Sequence, residues 1–260
     1  MIISKTPLRI SFVGGGTDFE DFYHRYPGRV LSASIDKYIY LGVNPKFDGQ
    51  VRVSYSKTEN VAHRSEIEHP IVKAALENMG IEKGLEIVSV ADIPARGTGL
   101  GSSSSFTVGL LRALHHHQGK QVSPEDLASL ACRIEINQLG SPIGKQDQYA
   151  AAFGGLNVVS FNVDGSVTVD PITLSPNIKE DFQNHILTFY TGTERQANGV
   201  LVEQKQNIGN KLESLKKMSD MVLPFKEALI KGDFQTMGSM LHQNWLLKKE
   251  LASGISTPYI

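Results

Sequence analysis

The sequence contains one cysteine, Cys132, and so cannot form an internal disulfide, which fits a reducing compartment. It has one tryptophan, and no apolar run approaches the roughly 18 residues that a membrane-spanning helix needs. The start, MIISKTPLRISFV, lacks the cationic stretch and long apolar run of a secretory signal. An excess of either charge is also missing. With 26 basic and 27 acidic residues the formal net charge is −1, so no global field favours nucleic acid or an anionic membrane. Any anion must be held by local structure. These absences leave a cytoplasmic enzyme or binding protein whose partner is a small molecule. The oligomeric state stays open, a homodimer included.

The 260 residues are enough for one large domain or two ordinary ones, and 40% apolar content fits a packed core. Alternation in 7-PLRISFVGG-15 predicts a half-buried strand ending at glycines. Further strands are expected at 29–35, 38–44, 51–56, 85–91, 156–161, 167–174 and 185–192. Helices are expected at 70–80, 104–117 and 123–140, with Ser123 as N-cap, and through the segment ending near 251. Cys132 falls in the amphipathic stretch 127-LASLACRIEINQL-139 and reads as a small buried hydrophobe. Composition shifts near 175–181, which places a boundary near 180. Strands and helices come in groups, so α+β is expected over a doubly wound sheet.

What the chain has in unusual density is glycine and serine in 94-PARGTGLGSSSSF-106, between a strand and a helix. Gly97, Gly99 and Gly101 let the backbone approach a ligand, and the N–H groups of the following helix point into the loop. That is an anion cradle rather than a flexible linker. It is not a Walker loop, because Ser102 follows Gly101 where lysine is required. Nor is it a dinucleotide fingerprint, because Ser102 stands at the third glycine position. His115, His116 and His117 follow on the same helix. Successive helical residues point about 100° apart, so they read as a polar helix end and not a metal site.

The stretch 94-PARGTGLGSSSS-105 resembles the central motif of the galactokinase, homoserine kinase, mevalonate kinase and phosphomevalonate kinase (GHMP) superfamily. The segments 7-PLRISFVGGGTD-18 and 144-GKQDQYAAAFGG-155 resemble its first motif and its catalytic aspartate segment, in the same order. Together they look most like the D-glycero-D-manno-heptose 7-phosphate kinases, with fucokinase-type domains next and galactokinases further off. The resemblance implies a two-domain fold: an ATP-binding part like ribosomal protein S5 domain 2 over 1–180, and a ferredoxin-like part over 181–260. A third, C-terminal glycine-rich motif is missing, so the resemblance implies a truncated chain with the second domain incomplete.

It further implies an ATP- and Mg²⁺-dependent phosphotransferase acting on the C1 hydroxyl of a sugar phosphate. The ATP phosphates would lie on Gly97, Gly99, Leu100, Gly101, Ser102, Ser103 and Ser104. Mg²⁺ would be held by Ser102 or Ser103 and by Glu135. Asp147 would accept the hydroxyl proton, with Lys145 and Arg9 beside it. Gly15, Gly16, Thr17 and Asp18 would meet the sugar, and Arg195 its existing phosphate. The competing expectations are another sugar kinase of the superfamily, fucokinase- or galactokinase-like, and a non-catalytic nucleotide- or sugar-binding protein on the same fold. Retention of Ser102, Glu135, Asp147 and Lys145 argues against the binding protein, because a pure binder needs no base.

Overall fold

The structure is a computed structural model describing residues 1–93, 98–189 and 197–256. The chain opens with strand β1 (Ile2–Val13), a short helix α1 (Glu20–Tyr23), and the long strand β2 (Gly28–Pro45). Strands β3 (Val51–Ser54) and β4 (Thr58–Val61), helix α2 (Pro70–Asn78) and strand β5 (Leu85–Ala91) follow. Then come helices α3 (Ser102–His117), α4 (Pro124–Cys132) and α5 (Gln146–Phe153), and strands β6 (Leu156–Phe161) and β7 (Val167–Pro171). Beyond β7 the elements among the described residues are helical: α6 (Pro176–Asn184), α7 (Ala197–Asn207), α8 (Leu212–Asp220), α9 (Val222–Lys231) and α10 (Phe234–Lys249). Among the described residues no helix is long and apolar enough to cross a membrane.

Packing divides the chain into two compact units that interleave along the sequence. One holds residues 1–9, 34–141 and 147–154, and the other holds 10–33, 142–146 and 155–260. The residues of β1 and β2 are therefore divided between them.

In the first unit the strand order is β4-β3-β5-β2. β3 lies parallel to β5, and β2 antiparallel to β5 from Ile39↔Ala91 to Pro45↔Leu85. Leu41, Val43, Val51, Leu85 and Ile87 are fully or almost fully buried, as are Leu76, Leu110, Leu114, Leu127 and Ile134 from the helices. Each such side chain contributes about 1.5–3 kcal/mol by leaving water. Helix α3 lies close against the sheet at Gly109, where a Cβ would stand 2.6 Å from Thr6 Oγ1. The Ser4 hydroxyl donates to the Gly109 carbonyl (2.8 Å), and the Ser105 hydroxyl donates to that of Pro7 (2.8 Å). The first turn of α3 is thus fastened to β1.

In the second unit β2, β6 and β7 form an antiparallel ladder, with Gly28↔Phe161 through Ala33↔Leu156 in register. Val13, Leu31 and Val158 pack with Phe182, Val222, Phe225, Leu229 and Met237. A second cluster joins Phe19 and Phe22 to Ile208, Leu215, Met218 and Leu251.

Two expectations are corrected. The strands expected at 29–35 and 38–44 are one continuous strand, because Asp36 and Lys37 are exposed mid-strand rather than turning. The strand expected at 185–192 is not formed over 185–189, and 190–192 lie outside the described residues. In the segment where composition shifts, Ser175 caps α6, accepting from the Ile178 N–H, with Pro176 in the first turn. Strand β4 was not anticipated.

Candidate active site

The serine run becomes the first turn of α3, and Gly101 is its N-cap at φ +78°. That left-handed conformation would strain any residue with a side chain. Gly99 is left-handed as well, at φ +68°. The Arg9 N–H donates to the Leu100 carbonyl (3.1 Å), and Arg9 Nη1 donates to that of Gly99 (2.8 Å). The loop is therefore held from β1 by its own backbone, with the N–H groups of Ser102, Ser103 and Ser104 at the open end of the helix. The Ser102 hydroxyl lies 3.4 Å from that of Thr98. Gly97 lies outside the described residues.

Helix α4 does not stop at Cys132. It continues as a π-helical turn over Arg133–Gln138, with the Leu139 N–H bonded five residues back to Ile134 (2.9 Å). Glu135 sits in that turn and is 1% exposed. Its carboxylate accepts from the Ser103 hydroxyl (2.7 Å) and from Gln148 Nε2 (2.8 Å). Burial pushes the Glu135 pKa up, against the hydrogen bonds from Ser103, Gln148 and Ser104. No lysine or arginine among the described residues pairs with it. A buried carboxylate joined to hydroxyls but to no cation is a donor set that suits a hard divalent ion. Mg²⁺ uses one or two carboxylates and takes its remaining ligands from waters and phosphates.

Asp147 stands in the first turn of α5. Arg9 Nε and Nη2 reach its Oδ1 at 2.7 and 2.6 Å. A Cβ on Gly101 would stand 3.4 Å from Asp147 Oδ2 and 3.4 Å from Arg9 Cγ. The loop, the arginine and the aspartate thus share one corner of the first unit, as their motifs suggested. Gln148 escaped the sequence reading. It is 0% exposed, and the signal was the second glutamine of GKQDQ, one residue after Asp147.

The remaining site residues belong to the second unit. Gly14 (φ +85°) and Gly16 (φ +106°) form a tight turn. Thr17 closes it: its hydroxyl lies 2.8 Å from the carbonyls of both Gly14 and Arg29, and it is 0% exposed. Asp18 is 1% exposed and accepts from the N–H of Gly16 (3.0 Å) and of Gln146 (3.1 Å), one to each carboxylate oxygen. The expectation that Asp18 bonds sugar hydroxyls thus meets a carboxylate engaged at both oxygens with backbone. Gly144 is required here, since a Cβ would fall 2.0 Å from Asp18 Oδ2. Lys145 Nζ donates to the Gly165 carbonyl (3.2 Å) and lies 4.6 Å from the centre of the Tyr23 ring. Arg195 lies outside the described residues. His115 Nδ1 lies 2.8 Å from the Leu111 carbonyl, and no group of three metal-ligating side chains converges among the described residues.

Residues 67–155 match the family model described as the GHMP kinases N terminal domain. Over 98% of this chain and 79% of its own length, the D-glycero-alpha-D-manno-heptose 7-phosphate kinase of Campylobacter jejuni is 29% identical. A galactokinase of Thermococcus kodakarensis is 27% identical over 91% of this chain and 74% of its own. Among solved structures, a D-glycero-D-manno-heptose 1-phosphate kinase from Bacteroides thetaiotaomicron superposes with a TM-score of 0.83. It is 27% identical, and the match covers 96% of this chain and 80% of that one. The mixed α+β fold of the chain is the one these kinases share.

Proposed function

We propose that this chain, whose residues 67–155 match the family model of the GHMP kinases N terminal domain, transfers the γ-phosphoryl group of ATP to a hydroxyl of a sugar phosphate. The acceptor in this reading is the C1 hydroxyl of D-glycero-D-manno-heptose 7-phosphate, and the products are the 1,7-bisphosphate and ADP. The observation that carries it is the Arg9–Asp147 pair against Gly101 at the start of α3.

Phosphoryl transfer asks a protein for position and charge more than for covalent chemistry. The N–H groups at the start of α3 and the backbone of Gly99, Leu100 and Gly101 hold the ATP phosphates. Arg9 occupies Oδ1 of Asp147, so Oδ2 is the oxygen that takes the proton of the attacking hydroxyl. The sugar oxygen bonds to the γ-phosphorus, the bond to the β-bridging oxygen breaks, and ADP leaves. Glu135 with Ser103 or Ser102 would hold Mg²⁺, which neutralises phosphate charge when bound. Lys145 adds positive charge one residue before Gln146. The turn from Gly15 to Asp18 shapes the sugar side, with Asp18 acting through the backbone it fixes. The division near residue 180 into an ATP-binding part and a C-terminal part belongs to the same proposal.

The two heptose kinases above differ in name over which end of the sugar already bears phosphate. The test is therefore an ADP-release assay with ATP, Mg²⁺ and a panel: heptose 7-phosphate, heptose 1-phosphate, galactose, fucose and mannose. Phosphorus NMR then locates the new ester. Turnover greatest with heptose 7-phosphate, giving the 1,7-bisphosphate, is the expected result. ATP binding with no turnover on any sugar would instead favour a binding protein.

A further inference from the structure

Gln148 sits on the same turn as Asp147 but serves a different partner. It is fully buried, so it touches no ligand itself, and its Nε2 donates to Glu135 Oε2 (2.8 Å). The other oxygen of Glu135 accepts from the Ser103 hydroxyl (2.7 Å). The first turn of α5 therefore carries the proposed base and, one residue on, a group that fixes the proposed metal ligand. Packing alone does not account for a glutamine at this place. Its Oε1 is buried with no hydrogen-bond partner among the described residues, and a buried acceptor left unsatisfied is unfavourable. A methionine would fill a similar space without that penalty. What the amide supplies and a methionine does not is a donor to Glu135.

We infer that Gln148 is a positioning residue, which holds the Glu135 carboxylate in place for a divalent cation bound together with the ATP phosphates. An ionised carboxylate has about four lone-pair positions, two on each oxygen. Ser103 and Gln148 take one on each oxygen, which fixes the plane of the group and leaves the others. Both donors are neutral, so the carboxylate keeps the charge that attracts a cation. A lysine or arginine in place of Gln148 would offset that charge and compete with the cation. Ser103 is oriented by the same arrangement. Its proton lies toward Glu135, so its oxygen lone pairs are turned away from the carboxylate and available to a cation. Groups that orient a metal ligand in this way affect metal binding without touching the metal. The inference rests on the kinase reading above, in which Glu135 is a metal ligand.

The test uses the full chain and needs no turnover. Calorimetry with a non-hydrolysable ATP analogue compares affinity in Mg²⁺ with affinity in EDTA. Wild type is expected to bind the analogue about tenfold tighter, or more, in Mg²⁺. Gln148→Met keeps the bulk and removes the donor. It is expected to cut that Mg²⁺ enhancement by about tenfold or more, with the affinity in EDTA within about twofold of wild type. Gln148→Lys restores a donor and adds a charge partner for Glu135, and it decides the question where the methionine variant is unstable. A merely structural role is served by that lysine, whereas the positioning role predicts that the enhancement is lost with it. An enhancement within about twofold of wild type in Gln148→Met, or retained in Gln148→Lys, overturns the inference. So does a loss of affinity in EDTA as large as the loss in Mg²⁺. A wild-type chain that binds the analogue equally in Mg²⁺ and EDTA overturns the metal role of Glu135 and this inference, and leaves the phosphate cradle standing. A wild-type chain that binds no analogue overturns the kinase reading and the inference with it.

Discussion

The guanidinium of Arg9 holds Asp147 by one oxygen: Nε and Nη2 both meet Oδ1, and Nη1 reaches past it to the carbonyl of Gly99. One side chain therefore aims the proposed base and anchors the glycine loop. Arg9→Lys keeps the charge but loses the fork, so it cannot do both at once. We expect kcat to fall tenfold or more, a change of about 1.4 kcal/mol. A weaker ATP affinity should accompany it in calorimetry. A lysine variant with wild-type kcat would show that the fork is dispensable.

Asp147→Asn keeps the shape of the carboxylate and removes its basicity. In the proposed reaction kcat should drop by about 10²–10⁴-fold, with little change in either KM. Near-normal turnover would make Asp147 a helix-terminal positioning group.

Gly101 and Gly99 separate two effects that a substitution usually mixes. Both are left-handed, so alanine at either is strained by about 1–2 kcal/mol. Only at Gly101 does a Cβ also meet Arg9 and Asp147, whereas at Gly99 nothing among the described residues lies within 4 Å. Gly101→Val should weaken ATP binding tenfold or more, about 1.4 kcal/mol, and depress turnover further. Gly99→Ala should lower the melting temperature with a smaller loss of affinity. Equal affinities for ATP in the two variants and wild type would argue against the cradle.

Glu135 gives a pH dependence with a definite sign. Its folded pKa is raised, mainly by burial. Its contribution to stability is thus fully present below the unfolded carboxylate pKa and is lost as pH rises through the folded one. Without Mg²⁺, Glu135→Gln should gain melting temperature relative to wild type as pH is raised from acid to neutral. The same variant should need more Mg²⁺ for half-maximal rate. A melting-temperature difference that stays flat across pH would contradict the buried, raised carboxyl.

Glu59 tests the opposite sign. Burial raises its pKa, but the N–H of Glu68, the hydroxyl of Tyr55 and the N–H of His69 outweigh it, and the net shift is down. Its stabilisation is present above the unfolded pKa and lost as pH falls through the folded one. Glu59→Gln should destabilise the fold by about 1–3 kcal/mol at neutral pH. The effect should shrink in acid, which denaturant titrations at two pH values can follow.

The three motifs marked the corner around Asp147 because each places special residues close together in sequence. Gly101 caps α3, and GKQDQ opens α5. What they could not show depends on distant partners. β2 reads as two strands because Asp36 and Lys37 resemble a turn, yet its halves are fixed by different neighbours, β6 for Gly28–Ala33 and β5 for Ile39–Pro45. The π-helical turn under Glu135 has no local signature, since an amphipathic helix tolerates one extra residue. Asn244 on α10 accepts from the Gly14 N–H, a link between residues 230 positions apart that the sequence alone does not show.

The interleaving of the two units bears on how the chain is made. Val13 and Leu31 leave the ribosome early, but Val222, Phe225 and Leu229, with which they pack, are made much later. Those apolar faces must wait, exposed or shielded by other proteins, while the segment from 34 to 141 can already fold. A pause in translation ahead of α9 would therefore lengthen the period in which the nascent chain is open to aggregation and proteolysis.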